Sequence, residues 1–497
     1  MRAIMIQGTA SSAGKSLIVA GLCRLAARRG LAVTPFKPQN MSNNAAACPG
    51  GGEIGRAQAL QARAAGVPAR PDLNPVLIKP QSDRTAQLIV RGEPYSLLEP
   101  GDYVGDRGGL LDVVIDSFNG LVATHDLVIV EGAGSPAETN LRKHDIANMG
   151  FARRAGVPVC IVGDIDRGGV IASLVGTHAV LDPADAAMVA GFMINKFRGA
   201  RRIFEPGVEL IERRTGWKCF GVVPWIAAAA RLPSEDAVAL PESVGATARS
   251  SGDRGPFRVA VPLLGRIANH DDLDPLLAEP GVECLLVPPG RSIPRDVDLI
   301  LLPGTKSTIG DLDFCMEQGW DHDIIAHARG GGRVFGICGG MQMLGRTVHD
   351  PNGVDGPARS VAGFGLLDIE TTMADTKIVR EAAGRCALSG SPVHGYEIHN
   401  GRVTGPDLGR PLLHITHGPD GAQSPNGRVG GVHLHGLFAS DEYRRAWLAR
   451  LGVAADPDLD IGTMVEEALD DVASALDEAL DVDALLSASP TPRWRPR

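Results

Sequence analysis

Residues 3–30 read AIMIQGTASSAGKSLIVAGLCRLAARRG. The run from Ala3 to Gln7 is short and mostly apolar, as a buried strand requires, and a turn rich in glycine and serine follows it. From Ser16 onward apolar residues recur at helical spacing until Gly30, a natural helix stop. A strand that passes through a glycine turn into a helix is the opening unit of a helix-covered parallel sheet. The alternation continues outward with AVTPF (32–36), LVIVEG (127–132), VPVCIVGDI (157–165) and VAGFMINK (189–196) as further strand candidates. Uninterrupted apolar strands separated by helices are buried on both faces, which predicts a doubly wound α/β unit.

A polar stretch at 240–257, rich in glycine and proline and without periodicity, reads as a linker. The strand pattern then restarts with RVAVPLL (258–264), ECLLVPP (283–289), VDLILLPGT (297–305) and GRVFGIC (332–338). The expected fold class is therefore α/β, with two doubly wound domains at 1–239 and 258–488. AGFGLLDIETTM (362–373) and PVHGYEIHNGRV (392–403) read as antiparallel additions to a second sheet. VEEALDDVASALDEALDVDALLSA (465–488) has the spacing of an acidic amphipathic helix, and 489–497 reads as a disordered tail.

A net charge of −9 over 497 residues argues against general nucleic-acid affinity, although a local site can still hold a small anion. The eight cysteines are scattered without a C-x-x-C pair, and the amino terminus lacks the layout of a secretory signal. Both features predict a cytoplasmic protein, and no uncharged stretch is long enough to span a bilayer.

The turn QGTASSAGKS lies where a strand ends and a helix begins, so its backbone N–H groups and the helix dipole point at a phosphate. Lys15 is placed to reach the outer phosphate oxygens and Ser16 to offer its hydroxyl to Mg²⁺. Gly8 and Gly14 enclose five residues, one more than the usual phosphate loop. Glu131, at the carboxyl end of a buried strand, is placed to hold the same ion. The long loop together with EGAG (131–134) resembles the ATP-binding domains of the dethiobiotin synthetase type, which activate carboxylates by phosphoryl transfer. The resemblance implies an ATP site made of Gly8, Thr9, Ser12, Ala13, Gly14, Lys15 and Ser16, with Lys37 in PFKPQNMSNN matching the family's lysine after the second strand.

GRVFGICGGMQMLG (332–345) is a strand, a cysteine, two glycines and a helix start. A cysteine on so tight a turn lies at a helix N-terminus, which favours thiolate and supplies N–H donors to an oxyanion. Gly336, Gly339 and Gly340 leave room for the turn and for a substrate, so Cys338 reads as a nucleophile. Its base is open among His394, His399, His433 and His435. The stretch resembles the glutaminase domain of class I glutamine amidotransferases, which implies a flavodoxin-like fold and points to His435 as the base. It further implies an oxyanion site from Gly304 in LPGTKST (302–308) and the N–H of Gly339. The family's Pro-Glu after the histidine is replaced by Gly436-Leu437, which leaves His435 without its usual carboxylate and implies a slow glutaminase.

The motifs together describe one reaction: ATP turns a carboxylate into an acyl phosphate, and ammonia released from glutamine displaces the phosphate. The pairing resembles the cobalamin-pathway amidotransferases. The stretches EIGRAQALQA, EGAGSPAETN, DIANMGFA, GDIDRGG, NKFRG, LPGTKST and GYEIHNG resemble the cobyric acid synthase family in particular. That resemblance implies glutamine- and ATP-dependent amidation of the b, d, e and g carboxylates of (adenosyl)cobyrinic acid a,c-diamide. The partners are then the corrinoid, glutamine and ATP, and the cobalt belongs to the substrate rather than to a protein site. Residues expected to face the corrinoid or phosphates are Asn40 and Asn43, with Gln39 and Asn44 beside them, and Asn140, Asp145, Asp164 and Asp166. Cobyrinic acid a,c-diamide synthase shares the chemistry and is the nearest alternative. A partitioning-type ATPase switch is a distant one, because such switches carry an early loop lysine where Ala10, Ser11 and Ser12 stand.

Overall fold

The computed structural model describes residues 2–82, 84–99, 108–235 and 255–488. Most of the expected linker and the whole expected tail lie outside the described residues. The first unit is built on a six-stranded parallel sheet in the order Lys218–Pro224, Val189–Phe197, Val159–Asp164, Arg2–Gly8, Leu127–Glu131, Val33–Phe36. Side-chain alternation along Arg2–Gly8 sends Ala3 and Met5 into one core and Ile4 and Ile6 into another, so both faces are covered. Phe36, Phe118 and Phe151 meet on one face with ring centroids 5.2–5.6 Å apart. Gly8, Glu131 and Asp164 all stand at carboxyl ends of neighbouring strands, where sheets of this kind open a ligand crevice.

The second unit repeats the plan with the parallel strands Val282–Val287, Phe257–Pro262, Leu299–Leu302, Arg333–Ile337 and Val429–Val432, closed at one edge by antiparallel Ala422–Gln423. Cys338 follows directly on Arg333–Ile337. The late antiparallel stretches do not join this parallel sheet. Glu370–Cys386 and Pro392–Thr404 pair as a long ribbon in a separate sheet with Arg359–Ala362, Thr347–Asp350, Leu413–Ile415 and Gly418–Asp420. The reason is burial: Glu370–Cys386 is largely half-exposed, whereas a strand added to the parallel sheet has both faces covered.

Two further features connect the units. Between Phe36 and the helix Gly108–Val122 the chain builds a small four-stranded sheet from Gln39–Met41, Val76–Pro80, Ala86–Val90 and Glu93–Leu98, and a hairpin of Ala45–Ala47 with Glu53–Gly55. Ala45, Ala47, Leu77 and Ile89 from this insertion share a buried cluster with Tyr396 and Ile398 of the second unit. The helix Ile461–Ala479, expected to belong to the second domain, instead lies on the helix Lys15–Arg28 and buries Leu469, Val472 and Leu476 in the first unit's core. Gly21 makes the approach possible, since a Cβ there would lie 2.5 Å from Leu476 Cδ1. Among the described residues, no helix is long and apolar enough to cross a membrane.

Candidate active site

At the end of Arg2–Gly8 the loop turns through Gly14 at φ 92°, a conformation that favours glycine. A Cβ at Gly14 would also lie 2.3 Å from the Asn195 amide nitrogen, which donates to Ala13 O at 2.9 Å and so braces the loop. Lys15 curls over the turn and donates to Ala10 O, Ser11 O and, across the crevice, Gly134 O at 2.9, 3.2 and 3.1 Å. Ser16 Oγ donates to Glu131 Oε1 at 2.7 Å, and Lys37 Nζ reaches the same oxygen at 2.8 Å. Glu235, not foreseen from sequence, enters here: it accepts from Ser16 and from Lys37, the latter at 2.7 Å. Burial pulls the Lys37 ammonium down, but the two carboxylates outweigh it and its pKa lies above the ordinary value. Burial pushes the Glu235 carboxyl up, and Lys37 and Ser16 outweigh it, so its pKa lies below the ordinary value. No spacing pattern marks Glu235; its only signal is an acidic residue beside the linker.

A cavity of about 390 Å³ opens beside these groups and brings together Lys15, Lys37, Asn40, Glu131, Asn140 and Asp145. Several residues expected to face substrate have other partners. Asp145 accepts the N–H groups of Ala147, Asn148 and Gly150 at 2.7–2.8 Å and so caps a helix start. Asn40 donates to Gln58 Oε1 at 2.8 Å. Asp164 pairs with Lys196 at 2.7 Å and Asp166 with Arg198 at 3.2 Å, and neither lines this cavity. Asn44 joins the units instead: its Oδ1 accepts from Asn269 N at 2.7 Å, while Asn269 Oδ1 accepts from Ala45 N at 2.9 Å.

Asn43 lies in a second, smaller cavity that also holds Cys338, Gly339, His399 and His435. Cys338 has φ 52° and ψ −111°, strained angles for a residue with a side chain. The glycines around it hold the turn together: a Cβ at Gly336 would lie 2.4 Å from Met341 N, and one at Gly340 2.3 Å from Leu302 O. Gly304 packs under the His435 ring, where a Cβ would lie 2.8 Å from His435 Cε1.

His435 does have a carboxylate. Its Nδ1 donates to Asp272 Oδ2 at 2.7 Å, and the N–H of Gly436 donates to Asp272 Oδ1 at 2.6 Å. The expectation of a histidine without an orienting carboxylate is thereby corrected: the acid comes from the loop NHDDLDP (269–275) rather than from the residues after His435. The signal in the sequence was an acidic cluster just beyond a strand's carboxyl end. Tyr396 stacks on the His435 ring, with centroids 5.3 Å apart and planes 21° from parallel.

Burial lowers the His435 pKa, but Asp272 and the Cys338 sulfur outweigh it and raise it to about 10. Burial also raises the Cys338 pKa, yet the charge and hydrogen bond of His435, helped by His433 and the Gly339 N–H, bring it below the ordinary value. Both shifts favour transfer of the Cys338 thiol proton to the His435 imidazole. Of the other histidines, His433 donates to Asp420 at 3.0 Å and stacks on His399 at 4.3 Å, and His394 contacts Ser440 at 3.2 Å away from the cavity. Three lysines line the same cavity: Lys306 and Lys377, both half-buried as residues, and, from the first unit, the buried Lys79. Burial and the neighbouring cations hold Lys306 down at about 8, while Lys377, for all its contact with Glu53, is held at about 7. Asp355 lies beside them, its carboxyl pushed up to about 6 by burial.

Residues 4–239 match the CobQ/CobB/MinD/ParA nucleotide binding domain, and residues 258–443 match the CobB/CobQ-like glutamine amidotransferase domain. Over almost the whole length of each chain, the sequence is similar to three proteins named cobyric acid synthase. It is 61% identical to that of Hyphomonas neptunium across 99% of both chains. It is 59% identical to that of Paracoccus denitrificans and 55% identical to that of Brucella suis, each across 98% of this chain and 99% of the relative. The chain belongs to the cobyric acid synthase family of glutamine amidotransferases.

Proposed function

We propose that the chain converts (adenosyl)cobyrinic acid a,c-diamide to cobyric acid, with ATP as the activating nucleotide and glutamine as the nitrogen source. His435, held by Asp272, keeps Cys338 as thiolate, and the thiolate attacks the glutamine amide carbon. The oxyanion is met by backbone N–H groups at Gly339 and the Gly304 turn. Collapse expels NH₃, with the proton returned from His435, and water then cleaves the thioester to glutamate. Lys306 and Lys377 suit the α-carboxylate of glutamine and Asp355 its α-ammonium.

In the first unit a substrate carboxylate oxygen attacks the γ-phosphorus of ATP, ADP leaves, and NH₃ displaces phosphate from the acyl carbon. Lys15 and Lys37 offset the charge gathering on the transferred phosphoryl group. The hard oxygens of Ser16, Glu131 and Glu235 fit Mg²⁺, which when bound would neutralise phosphate charge. Asn40 and Asn140, in the cavity beside them, are the residues proposed to meet the corrinoid.

The observation that carries the coupled reaction is that Asn43 and Lys79 of the nucleotide-binding unit line the cavity of Cys338. The test is mass spectrometry of corrinoids after incubation with amide-¹⁵N glutamine, ATP and Mg²⁺. Label at each of the b, d, e and g positions of the a,c-diamide supports the proposal. Label confined to the a and c positions of unamidated cobyrinic acid would assign the sister reaction instead.

A further inference from the structure

The segment EIGRAQALQ (53–61) touches both sites. It is a short strand, Glu53–Gly55, that runs straight into the helix Arg56–Ala65. At the helix start Arg56 leaves the nucleotide-binding unit and forms an ion pair with Asp271, the neighbour of Asp272. Its guanidinium also lies over the Tyr396 ring, 5.4 Å from the centroid, and that ring is the one stacked on His435. The backbones of Tyr396 and His435 are tied by reciprocal hydrogen bonds of 2.9 and 3.1 Å, which fixes the register of ring and histidine. One turn further on, Gln61 donates to Glu131 at 2.5 Å and Gln58 to the same oxygen at 3.4 Å, which fixes the helix to the nucleotide site.

The electrostatics explain why a cation belongs there. Asp271, Asp272 and Asp274 crowd one short loop, and the first two are almost fully buried. Oδ1 of Asp271 has no hydrogen-bond partner, so its charge is met chiefly through the oxygen that faces Arg56. Buried carboxylates this close repel one another unless a cation sits among them. Without the guanidinium the loop has reason to shift or to take up a proton, and either change disturbs the carboxylate that holds His435.

We propose that Arg56 is a positioning residue of the glutaminase site, supplied by the other unit: it holds the Asp271–Asp272 loop and the Tyr396 ring so that His435 is aimed at Cys338. This rests on the glutaminase role given above to Cys338 and His435. The nucleotide-binding unit then completes the hydrolytic site as well as consuming its product. The charged and titratable groups around this centre are Cys338, His435, His433, Asp272, Tyr396, Asp271, Asp274, His270 and Arg56.

The test compares full-length wild type, R56Q, R56K and C338A for glutamine hydrolysis, for the pH dependence of Cys338 alkylation by iodoacetamide, and for ammonium-driven amidation. Expected for R56Q is a fall in glutaminase kcat of roughly 10- to 100-fold, as misalignment of a catalytic group produces. KM for glutamine changes little, the alkylation midpoint moves to higher pH, and ammonium-driven amidation is kept. R56K, which retains the charge, recovers part of kcat. An unchanged kcat and alkylation profile in R56Q would overturn the proposal. Equal loss of glutamine- and ammonium-driven activity would also overturn it, by reducing Arg56 to a structural contact. Wild type that hydrolyses glutamine while C338A does not keeps the glutaminase role standing whatever Arg56 does. Wild type without hydrolysis removes both.

Discussion

At the scale of single residues, the proposed hydrolytic centre depends on contacts that the linear order hides. Cys338, Gly339 and Lys15 were legible because their chemistry lies in local spacing, a strand running into a glycine turn and a helix. Asp272 was not, because it stands 163 positions from the histidine it orients. Substitution of Asp272 by Asn should leave Cys338 in place but lower glutaminase kcat by about 10²- to 10⁴-fold, since the histidine loses both its orientation and its counter-charge. The pH signs follow from the same pair. The thiol pKa is depressed and the imidazolium pKa raised to about 10, so the reactive pair exists above the first and below the second. Alkylation of Cys338 should therefore switch on below the pH of an ordinary thiol, and Asp272→Asn should move that midpoint upward. Gly304→Ala would place a methyl 2.8 Å from His435 Cε1 and 2.9 Å from Ala268 O. Glutamine hydrolysis should fall by about a hundredfold while ammonium-driven amidation survives.

At the scale of elements, the strands of both parallel sheets were readable because doubly buried strands are continuous apolar runs. The partners of amphipathic elements were not. A stripe such as Val465, Leu469, Val472 and Leu476 states that a helix is buried on one side without stating against what. Here it crosses back to the first unit, and Arg24–Asp470 and Arg63–Glu466 pairs at 2.7 Å border the contact. The partly exposed pairs contribute little, and the apolar stripe contributes most. Leu476→Ala should destabilise the first unit by about 2–5 kcal/mol, read as a lower denaturant midpoint, because Leu476 is fully buried against Gly21. An unchanged midpoint would mean that the helix is not part of that core. The late ribbon was recognisable as antiparallel from its composition, but its separate sheet depended on which faces stay wet.

At the scale of the whole molecule, the two units share walls. Asn43 and Lys79 line the cysteine's cavity, Asn44 and Asn269 clasp the units reciprocally, and Arg56 reaches from one unit to the acids of the other. Under the proposed roles, an ammonia-consuming and an ammonia-releasing site in one chain raise the local ammonia concentration at the acyl phosphate. The most direct measurement is the source of nitrogen in the corrinoid product of wild type and Cys338→Ala, with amide-¹⁵N glutamine or ammonium offered separately. The account predicts labelled product from glutamine in wild type, none in Cys338→Ala, and restoration of amidation in that variant by ammonium. Undiminished glutamine-dependent amidation in Cys338→Ala, or failure of ammonium to restore it, would contradict the account.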